Sequence, residues 1–571
     1  MKKIFAAVLC IVLLISAFPL ASSVLAFAPN PDNGSEEQLT GYFGNEMEVT
    51  NPDTGETETV KEFYFTYIYS RPLTNTDPAV NYSYLTIGIN SKYPGQSSGI
   101  IPEPENGDIK KLPWHDTTMR LDRKVTSTGR TGTKKLSANN YQFLQELKIE
   151  EGIVSIPAKA FSLSPYLEKV EIESTVLTSI PEACFKGTVL NQINLPDSVE
   201  SIGDMAFMGT SISSLNTPAS LKSIGRQAFE GVYPLATFDL PANLEYVGKY
   251  AFRYTHLTSL DIPGTLGNID ASTFECMPYL ETVTIASGIN SIGEFAFTND
   301  TSLVSVSLPD GLQVIGADAF RRCTALETIS IPSSVNSIGK NAFKYCKSVP
   351  SFTVPEGITD LAEGVFYGCE SLTSVSLPST LTSIAKEAFY ACSSLPAVSI
   401  PASVESISSR AFGNCFALTT IAIPYGIDAI DNYMFYGCES LTNVSIPATV
   451  KSVGKGAFYG CKSLTTLVLP AQLENIGSDC FYECERLASV NFPESLKSIG
   501  KYAFCRCFAL TSINIPSAKT IIGKFAYGYF YSTDSEGFGG FTTMSDNTIY
   551  GAEGSAAEEY ANARGLIFIN N

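Results

Sequence analysis

The amino-acid sequence predicts a repeat solenoid whose coils stack to give a parallel β-sheet face. The first observation is a proline that ends a short apolar strand and recurs every 23 residues from Pro309 to Pro516. The second is a phenylalanine that recurs in steps of 22–24 residues from Phe161 to Phe504. The third is length, because a unit this short cannot bury an apolar face alone and must pack on its neighbours. About 17 units follow, which would extend about 80 Å at the spacing of paired strands.

Residues 372–392, LTSVSLPSTLTSIAKEAFYAC, show how one unit is built. Val375 and Leu377 alternate with serines, which is the period-two pattern of a half-buried strand. Pro378 ends that strand because proline has no N–H to donate to a sheet. Further apolar residues turn the chain back over the core, and Phe389 closes the coil from the far side. The strands of successive units would then pair in parallel.

Two rows of side chains, the phenylalanines and the cysteines three residues after them, would line the interior of the stack. The clearest members are Phe320, Phe343, Phe366, Phe389, Phe412, Cys323, Cys346, Cys369, Cys392 and Cys415. A zinc site needs ligands that converge from different directions, and a disulfide needs Cβ atoms about 3.5–4.5 Å apart. A ladder of parallel side chains offers neither, so we expect buried structural thiols. The alternative is an isolated bridge between neighbouring coils, for which Cys480-x-x-x-Cys484 and Cys505-x-Cys507 are the candidate places.

These units resemble the leucine-rich repeats of the bacterial surface antigen, BspA-like or treponemal, type. That family's unit runs Leu-x-x-Val/Ile-x-Leu/Ile-Pro, then an apolar pair ending in Ile-Gly, then Ala-Phe-x-x-Cys, and this chain repeats it from about residue 147 to 525. The family's closing segment is also matched by residues 549–551, 554–561 and 566–569. Ser555 and Glu558 would form a capping box for a short helix that Gly565 ends. The last apolar strand would cover the open edge of the final coil.

The chain divides into four segments. Residues 1–26 read as a secretory signal peptide, with two lysines before an apolar stretch that is too short to span a membrane comfortably. Residues 27–138 lack the repeat and show three strand patterns, at 42–50, 59–70 and 81–90, which suggest a small β-rich domain or an N-terminal cap. Residues 139–535 form the leucine-rich repeat solenoid that the resemblance implies, and residues 536–571 form a C-terminal cap.

Composition argues against several classes of function. The formal net charge of −19 would repel a nucleic-acid backbone, so no nucleic-acid partner is expected. Two histidines and one tryptophan leave few residues for catalysis or metal binding, and no cofactor is expected. Gly95-Gln-Ser97-Ser-Gly99 matches the Gly-x-Ser-x-Gly pattern, but the prolines Pro94 and Pro102 beside it do not suit the strand and helix of a nucleophile elbow.

A row of tyrosines follows the phenylalanines by one residue. It comprises Tyr367, Tyr390, Tyr436, Tyr459 and Tyr482. The sequence places these side chains along one edge of the solenoid, facing solvent. Such a row could bind glycans or protein partners, since tyrosine offers contact area at low entropic cost. Alternatively, the tyrosines stack on each other and shield the core.

The outward positions of the strands carry small hydroxyl side chains. The candidate binding residues on this strand face are Ser305, Ser307, Thr328, Ser330, Ser351, Thr353, Ser374 and Ser376. A regular hydroxyl surface suits a wide, flat contact, although it lacks the Trp or Arg anchors of a binding hot spot. The alternative is a solvated sheet face with no partner.

The resemblance implies a secreted or surface-associated, non-catalytic protein that binds other proteins in an adhesin-like role. The expected partner is an extracellular protein of the host matrix or of another cell surface, and the protein is expected to be monomeric and not inserted into a membrane. The alternative from another class is a glycan-binding or cell-wall-binding protein that acts through residues 27–138. An enzyme hidden in the same segment is a third, weaker hypothesis.

Overall fold

The computed structural model describes residues 144–571, apart from residue 163 and residues 534–538, together with the backbone of five strands that precede them. The signal peptide, the Gly-x-Ser-x-Gly motif up to Ser98 and the turn at 51–55 therefore lie outside the described residues. The same holds for the predicted domain boundaries at residues 138 and 535.

The five early strands extend the sheet of the solenoid. They are β1 (Gly34–Thr50), β2 (Thr57–Pro72), β3 (Ser83–Ile89), β4 (Gly99–Ile100) and β5 (Asp122–Lys124). β1 pairs antiparallel with β2, and β2 pairs antiparallel with β3. β3 then lies parallel to Glu146–Ile149, the strand of the first coil, so the early strands cover an edge that would otherwise be open.

Most coils contribute a strand to a first face, and neighbouring strands pair in parallel and in register, as in Ser351 opposite Ser374. This is the strand that the alternation of apolar residues and serines predicts. The two coils between Gln192–Ile193 and Ser259–Ile262 have no strand on this face. The strands of the first face are Glu146–Ile149, Lys169–Ile172, Gln192–Ile193, Ser259–Ile262, Thr282–Ile285, Ser305–Ser307, Thr328–Ile329, Ser351–Thr353, Ser374–Ser376, Ala397–Val398, Thr420–Ala422, Asn443–Ser445, Thr466–Val468, Ser489–Asn491 and Ser512–Asn514.

A second face consists of a second parallel strand in each coil, mostly two residues long, where the sequence predicted only a return of the chain. Most of them end in a buried aliphatic residue such as Ile384, which packs into the core. The strands of the second face are Ile153–Ser155, Ser179–Ile180, Ser201–Ile202, Ser223–Ile224, Tyr246–Val247, Asn268–Ile269, Ser291–Ile292, Val314–Ile315, Ser337–Ile338, Asp360–Leu361, Ser383–Ile384, Ser406–Ile407, Ala429–Ile430, Ser452–Val453, Asn475–Ile476, Ser498–Ile499 and Ile521–Ile522. A 3₁₀ turn at Gly264–Leu266 precedes one of them.

The third side of each coil is a turn that carries the phenylalanine into the core. The rings of neighbouring coils stack with centroids 5.0–6.3 Å apart along the whole row, for example Phe366–Phe389 at 5.5 Å and Phe389–Phe412 at 5.3 Å. The backbone N–H of Phe389 donates to the carbonyl of Ala411 at 2.8 Å, so the turns of adjacent coils are also hydrogen-bonded. The interior is therefore continuous from coil to coil.

The turn uses the left-handed backbone region twice per coil, two residues before and two residues after the phenylalanine. Around Phe389 these positions are Glu387 and Ala391, with φ of 58° and 59°. Other coils have glycine there, as at Gly368 and Gly437. A residue with a Cβ is strained in this region, so the repeat carries this strain at many of its coils.

Replacing Ala391 by glycine is expected to raise the free energy of unfolding by about 1 kcal/mol, since glycine adopts the positive φ without strain. The matched control is Ala388→Gly, three residues earlier, where the alanine is buried and φ is not positive. That variant should be destabilised. Urea unfolding of both variants measures the effect, and a loss of stability in Ala391→Gly would contradict the strain argument.

The C-terminal segment, where the sequence predicts a cap, extends the first face beyond the last coil. A hairpin of Tyr529–Thr533 and Gly539–Thr543 is followed by strand Thr548–Gly551, helix α1 (Ala556–Arg564) and strand Ile567–Asn570. Thr548–Gly551 pairs with the last strand of the first face, and Ile567–Asn570 pairs with Thr548–Gly551.

The ends of α1 are close to the prediction. Ser555 accepts a hydrogen bond from the N–H of Glu558 at its N-cap, and Gly565 ends the helix with φ of 68°. The Glu558 carboxylate differs from a standard capping box, because it accepts from the N–H of Gly554 at 2.7 Å, one residue before the N-cap. Among the described residues, no helix has the length and apolarity that crossing a bilayer requires.

Candidate binding surfaces of the solenoid

The predicted phenylalanine and cysteine ladder lies in the interior. Phe320, Phe343, Phe366, Phe389 and Phe412 are fully buried, and so are Cys323, Cys346, Cys369, Cys392 and Cys415. Each of these thiols donates a hydrogen bond to the carbonyl of the phenylalanine in the preceding coil, as from Cys392 Sγ to Phe366 O at 3.2 Å. Burial raises the pKa of Cys415 to about 12 and raises the pKa of the other ladder thiols as well. Thiols that are buried and protonated are poor nucleophiles and poor metal ligands.

Earlier coils show why the cysteine position is structural. Thr188, Thr210 and Thr255 occupy the same position three residues after the phenylalanine, and each hydroxyl donates to the phenylalanine carbonyl of its own coil at 2.8–2.9 Å. Many coils therefore place a small buried donor at this position, while Val232 and Met277 fill it with a buried apolar side chain. Cys480, Cys484, Cys505 and Cys507 are likewise free and buried, so these four cysteines form no bridge between neighbouring coils.

Cys276 differs from the other described cysteines because it is only half-buried. Thiol labelling with Ellman's reagent should therefore find one reactive thiol in the native mature protein and thirteen after denaturation without reductant, since thirteen free cysteines follow Cys10. The variant Cys276→Ser should leave the native protein unreactive. A denatured count well below thirteen would show disulfides and contradict the ladder.

Asp300 occupies the same buried position in the coil before the cysteines begin. Its Oδ1 accepts from the N–H of Met277 at 2.7 Å, while Oδ2 makes no hydrogen bond. Burial raises the pKa of this carboxyl well above its usual value, with a smaller contribution from Glu275. The Asp300 carboxyl therefore stays protonated to a higher pH in the folded state than in the unfolded state.

A raised folded-state pKa contributes stability that is present at low pH and lost as the pH rises from the unfolded value, about 3.9, through the folded one. The variant Asp300→Asn keeps the acceptor for Met277 and cannot ionise, so it should exceed the wild type in stability by more at pH 8 than at pH 4. Urea midpoints at both values measure this, with the exposed Asp310→Asn as control. An equal difference at both values would contradict a buried protonated carboxyl.

The tyrosine row is less exposed than the sequence suggested. Tyr367, Tyr390, Tyr436, Tyr459 and Tyr482 are all half-buried. They stack in two groups, with centroid distances of 4.9 Å for Tyr367–Tyr390, 5.3 Å for Tyr436–Tyr459 and 4.8 Å for Tyr459–Tyr482. Burial is the main cause that raises the pKa of Tyr367 and Tyr459 to about 12. This geometry favours the shielding interpretation over a solvent-facing strip.

The hydroxyl positions do face solvent. Ser307, Thr328, Ser330, Ser351, Thr353, Ser374 and Ser376 are exposed, and Ser305 is half-buried. From residue 350 to 514 the outward positions of the first face carry Ser, Thr, Asn, Ala, Pro or Val, as at Ser376, Ser399, Thr420 and Val468. None of these outward positions is charged, although the whole chain carries a net charge of −19. The first face therefore presents a long, uncharged surface over its C-terminal half.

An aromatic row with two exposed rings, which sequence analysis did not identify, borders the first face at its N-terminal half. Tyr233, His256 and Tyr279 lie in three successive coils, with centroid distances of 6.4 Å and 4.1 Å. His256 and Tyr279 each lie three residues before the first residue of the strand that follows. Tyr233 and Tyr279 are 58% and 49% exposed. We call these three residues the aromatic ridge. The sequence feature that could have predicted the ridge is an aromatic residue four or five positions after the repeat phenylalanine in three successive units.

The remaining chemical candidates are not brought together in the described part of the chain. No group of three or more His, Cys, Asp or Glu residues there is placed to hold a metal ion. Ser97 and His115 lie outside the described residues, and His256 belongs to the aromatic ridge.

Similar solved structures are bacterial leucine-rich repeat proteins. A leucine-rich repeat protein from Bacteroides ovatus is 27% identical, with 69% of this chain and 90% of that chain covered and a TM-score of 0.48. A leucine-rich cell surface protein from Faecalibacterium prausnitzii is 21% identical, with 84% and 95% covered and a TM-score of 0.29. The pneumococcal vaccine antigen PcpA is 15% identical, with 93% and 100% covered and a TM-score of 0.33. No curated protein matches the chain.

The repeat itself matches a family model. The BspA-type leucine-rich repeat region, a model of six copies, matches residues 154–278, 267–370, 359–470 and 451–552. These matches run without a gap through more than half of the chain and include every coil of the cysteine ladder. The protein therefore belongs to the BspA-type leucine-rich repeat family.

Proposed function

We propose that this protein is a secreted, non-catalytic scaffold that binds an extracellular protein through its first face, with the aromatic ridge as the anchor. Two observations on the same face carry the proposal, the flat uncharged surface of its C-terminal half and the row of rings that borders its N-terminal half. Tyrosine is enriched at binding hot spots, and the uncharged part of the face offers a partner a wide contact area beyond them.

The chemistry of the first face favours a protein partner. Uncharged Ser, Thr and Asn side chains offer hydrogen bonds without the desolvation cost of burying ions. The parallel strands hold these groups in a regular array, so little conformational entropy is lost when a partner docks. Extended solenoid surfaces serve as wide binding faces in repeat proteins generally.

Secretion and an adhesin-like role are part of the same proposal. They are supported by the leader pattern of residues 1–26 and by membership of a family of bacterial surface antigens. The glycan-binding alternative depends on residues 27–138, whose side chains lie outside the described residues.

The test uses the mature chain, residues 27–571, on an array of purified extracellular-matrix proteins and on a glycan array. We expect capture by at least one matrix protein, and a loss of that capture in the double variant Tyr233→Ala/Tyr279→Ala. Tyr425→Ala is the control, because Tyr425 is 71% exposed and lies outside the ridge. Binding to glycans alone, or equal losses in both variants, would overturn the proposal.

A further inference from the structure

Five lysines on the second face and the turns that follow it form a cationic strip in the last coils. We call Lys451, Lys455, Lys497, Lys501 and Lys524 the C-terminal lysine strip, and all five are exposed. They occur in a chain whose net charge is −19, so they stand out against the charge of the whole molecule.

The backbone ladder places these lysines in two lines. The N–H of Glu474 donates to Lys451 O and that of Lys497 donates to Glu474 O, so Lys451 and Lys497 occupy equivalent positions two coils apart. Lys455, Lys501 and Lys524 occupy a second equivalent position, and Tyr502 N–H bonds to Lys524 O at 3.2 Å. At the spacing of paired strands, Lys501 and Lys524 are about 5 Å apart along the axis and Lys455 is about 10 Å further back.

Three lysines at the same positions in earlier coils form ion pairs, whereas Lys249 lies over the ring of Tyr250. Lys222 contacts Glu200 at 2.9 Å, and Lys340 and Lys386 contact Glu363 at 3.0 and 3.8 Å. In the strip, Lys497 pairs with Glu474 at 2.7 Å. The other four have no carboxylate of the described residues within ion-pair distance. Asp479, in the coil between them, interacts electrostatically with Lys455 and Lys501, so the five lysines face the carboxylates of Glu474 and Asp479 and the strip keeps a net positive charge.

Aromatic rings beneath the strip hold two of its ammonium groups. Lys501 Nζ lies 4.4 Å from the ring centroid of Tyr502, and Lys524 Nζ lies 4.8 Å from that of Phe525. These rings stack on each other and on Phe541 at 4.6–5.7 Å. Because these rings contact each other and the lysine ammonium groups, their faces do not form a platform for nucleobase stacking.

We propose that the C-terminal lysine strip binds a linear polyanionic glycan, one that carries sulfate or phosphate groups along its length. Lysine ammonium groups act as point charges toward such groups. A thin linear polymer can follow a line of charges while it avoids the acidic remainder of the surface, whereas a folded acidic partner would be repelled by it. This site is separate from the first face and does not depend on the protein-binding proposal.

The experiment compares two triple variants of the mature chain that change the net charge equally. Lys455→Gln/Lys501→Gln/Lys524→Gln removes unpaired lysines of the strip, and Lys222→Gln/Lys340→Gln/Lys386→Gln removes ion-paired lysines elsewhere. Fluorescence anisotropy at low salt measures binding to labelled heparin, to poly(glycerol phosphate) and to single-stranded DNA. Thermal unfolding of both variants verifies that each is folded.

The strip variant should bind about tenfold more weakly than wild type, while the control stays close to wild type. Binding should also fall with added salt because the contacts are exposed. Preference for heparin identifies sulfate as the ligand group, and preference for poly(glycerol phosphate) identifies phosphate. The proposal would be overturned if the wild type binds neither heparin nor poly(glycerol phosphate), or binds DNA alone. It would also be overturned if the two triple variants weaken binding equally.

Discussion

The variant Phe389→Ala is expected to lose about 3–5 kcal/mol of unfolding free energy, which is the usual cost of truncating a buried aromatic side chain. Phe389 is fully buried, and its ring stacks on Phe366 at 5.5 Å and on Phe412 at 5.3 Å. The cavity would lie between three coils, so the loss should also loosen the neighbouring turns. Urea unfolding gives the free energy, and amide hydrogen exchange should show faster exchange in residues 366–412.

The control for this variant is Phe416→Ala in the next coil, since that ring is 46% exposed. Its loss should be well below that of Phe389→Ala because little apolar area is removed from the core. If Phe389→Ala is as stable as the wild type, the phenylalanine row does not form the interior.

The variant Gly477→Ala is expected to cost about 1–3 kcal/mol or more, because the added methyl group overlaps backbone of the preceding coil. A Cβ at this position would lie 2.5 Å from Gly454 C and 2.6 Å from Lys455 N. Backbone atoms cannot move aside as a flexible side chain can, so the two coils would have to separate. A shift in the urea midpoint measures the cost.

Two consecutive coils offer a matched control, because Ala362 and Ala385 occupy the position of Gly477 naturally. The reverse change, Ala385→Gly, should alter stability by less than about 1 kcal/mol, the ordinary cost of replacing alanine by glycine. If Gly477→Ala and Ala385→Gly change the free energy of unfolding equally, the close approach of the coils is not the reason that position 477 requires glycine.

The coil and its interior could be predicted from the sequence because the residues that determine them recur in nearly every unit. Pro378 ends a strand for the same reason as every other proline in the row, and Phe389 is buried for the same reason as every other phenylalanine. The second face could not be predicted, since Ser383–Ile384 is too short to show an alternating pattern. The left-handed conformation of the turn residues could not be predicted either, because glutamate and alanine, as at Glu387 and Ala391, rarely adopt a positive φ.

The surfaces were harder to predict than the core. The exposure of Ser374 and Ser376 follows directly from strand alternation. The half-burial of Tyr390 depends on its contact with Tyr367 in the preceding coil, which a single repeat does not reveal. The aromatic ridge was missed because Tyr279 follows its phenylalanine by five residues whereas Tyr233 and His256 follow theirs by four, so the row is not strictly periodic.

The central claim is that the uncharged first face is the protein-binding surface, and charged substitutions on it give the most direct measurement. The mature variant Ser376→Arg/Ser399→Arg introduces two charges on neighbouring coils of that face. Ser337→Arg/Ser406→Arg introduces the same charges at exposed positions of the second face. The account predicts that only the first variant loses capture by the matrix protein that binds the wild type, with unfolding midpoints unchanged in both. Full capture by the first variant would contradict it.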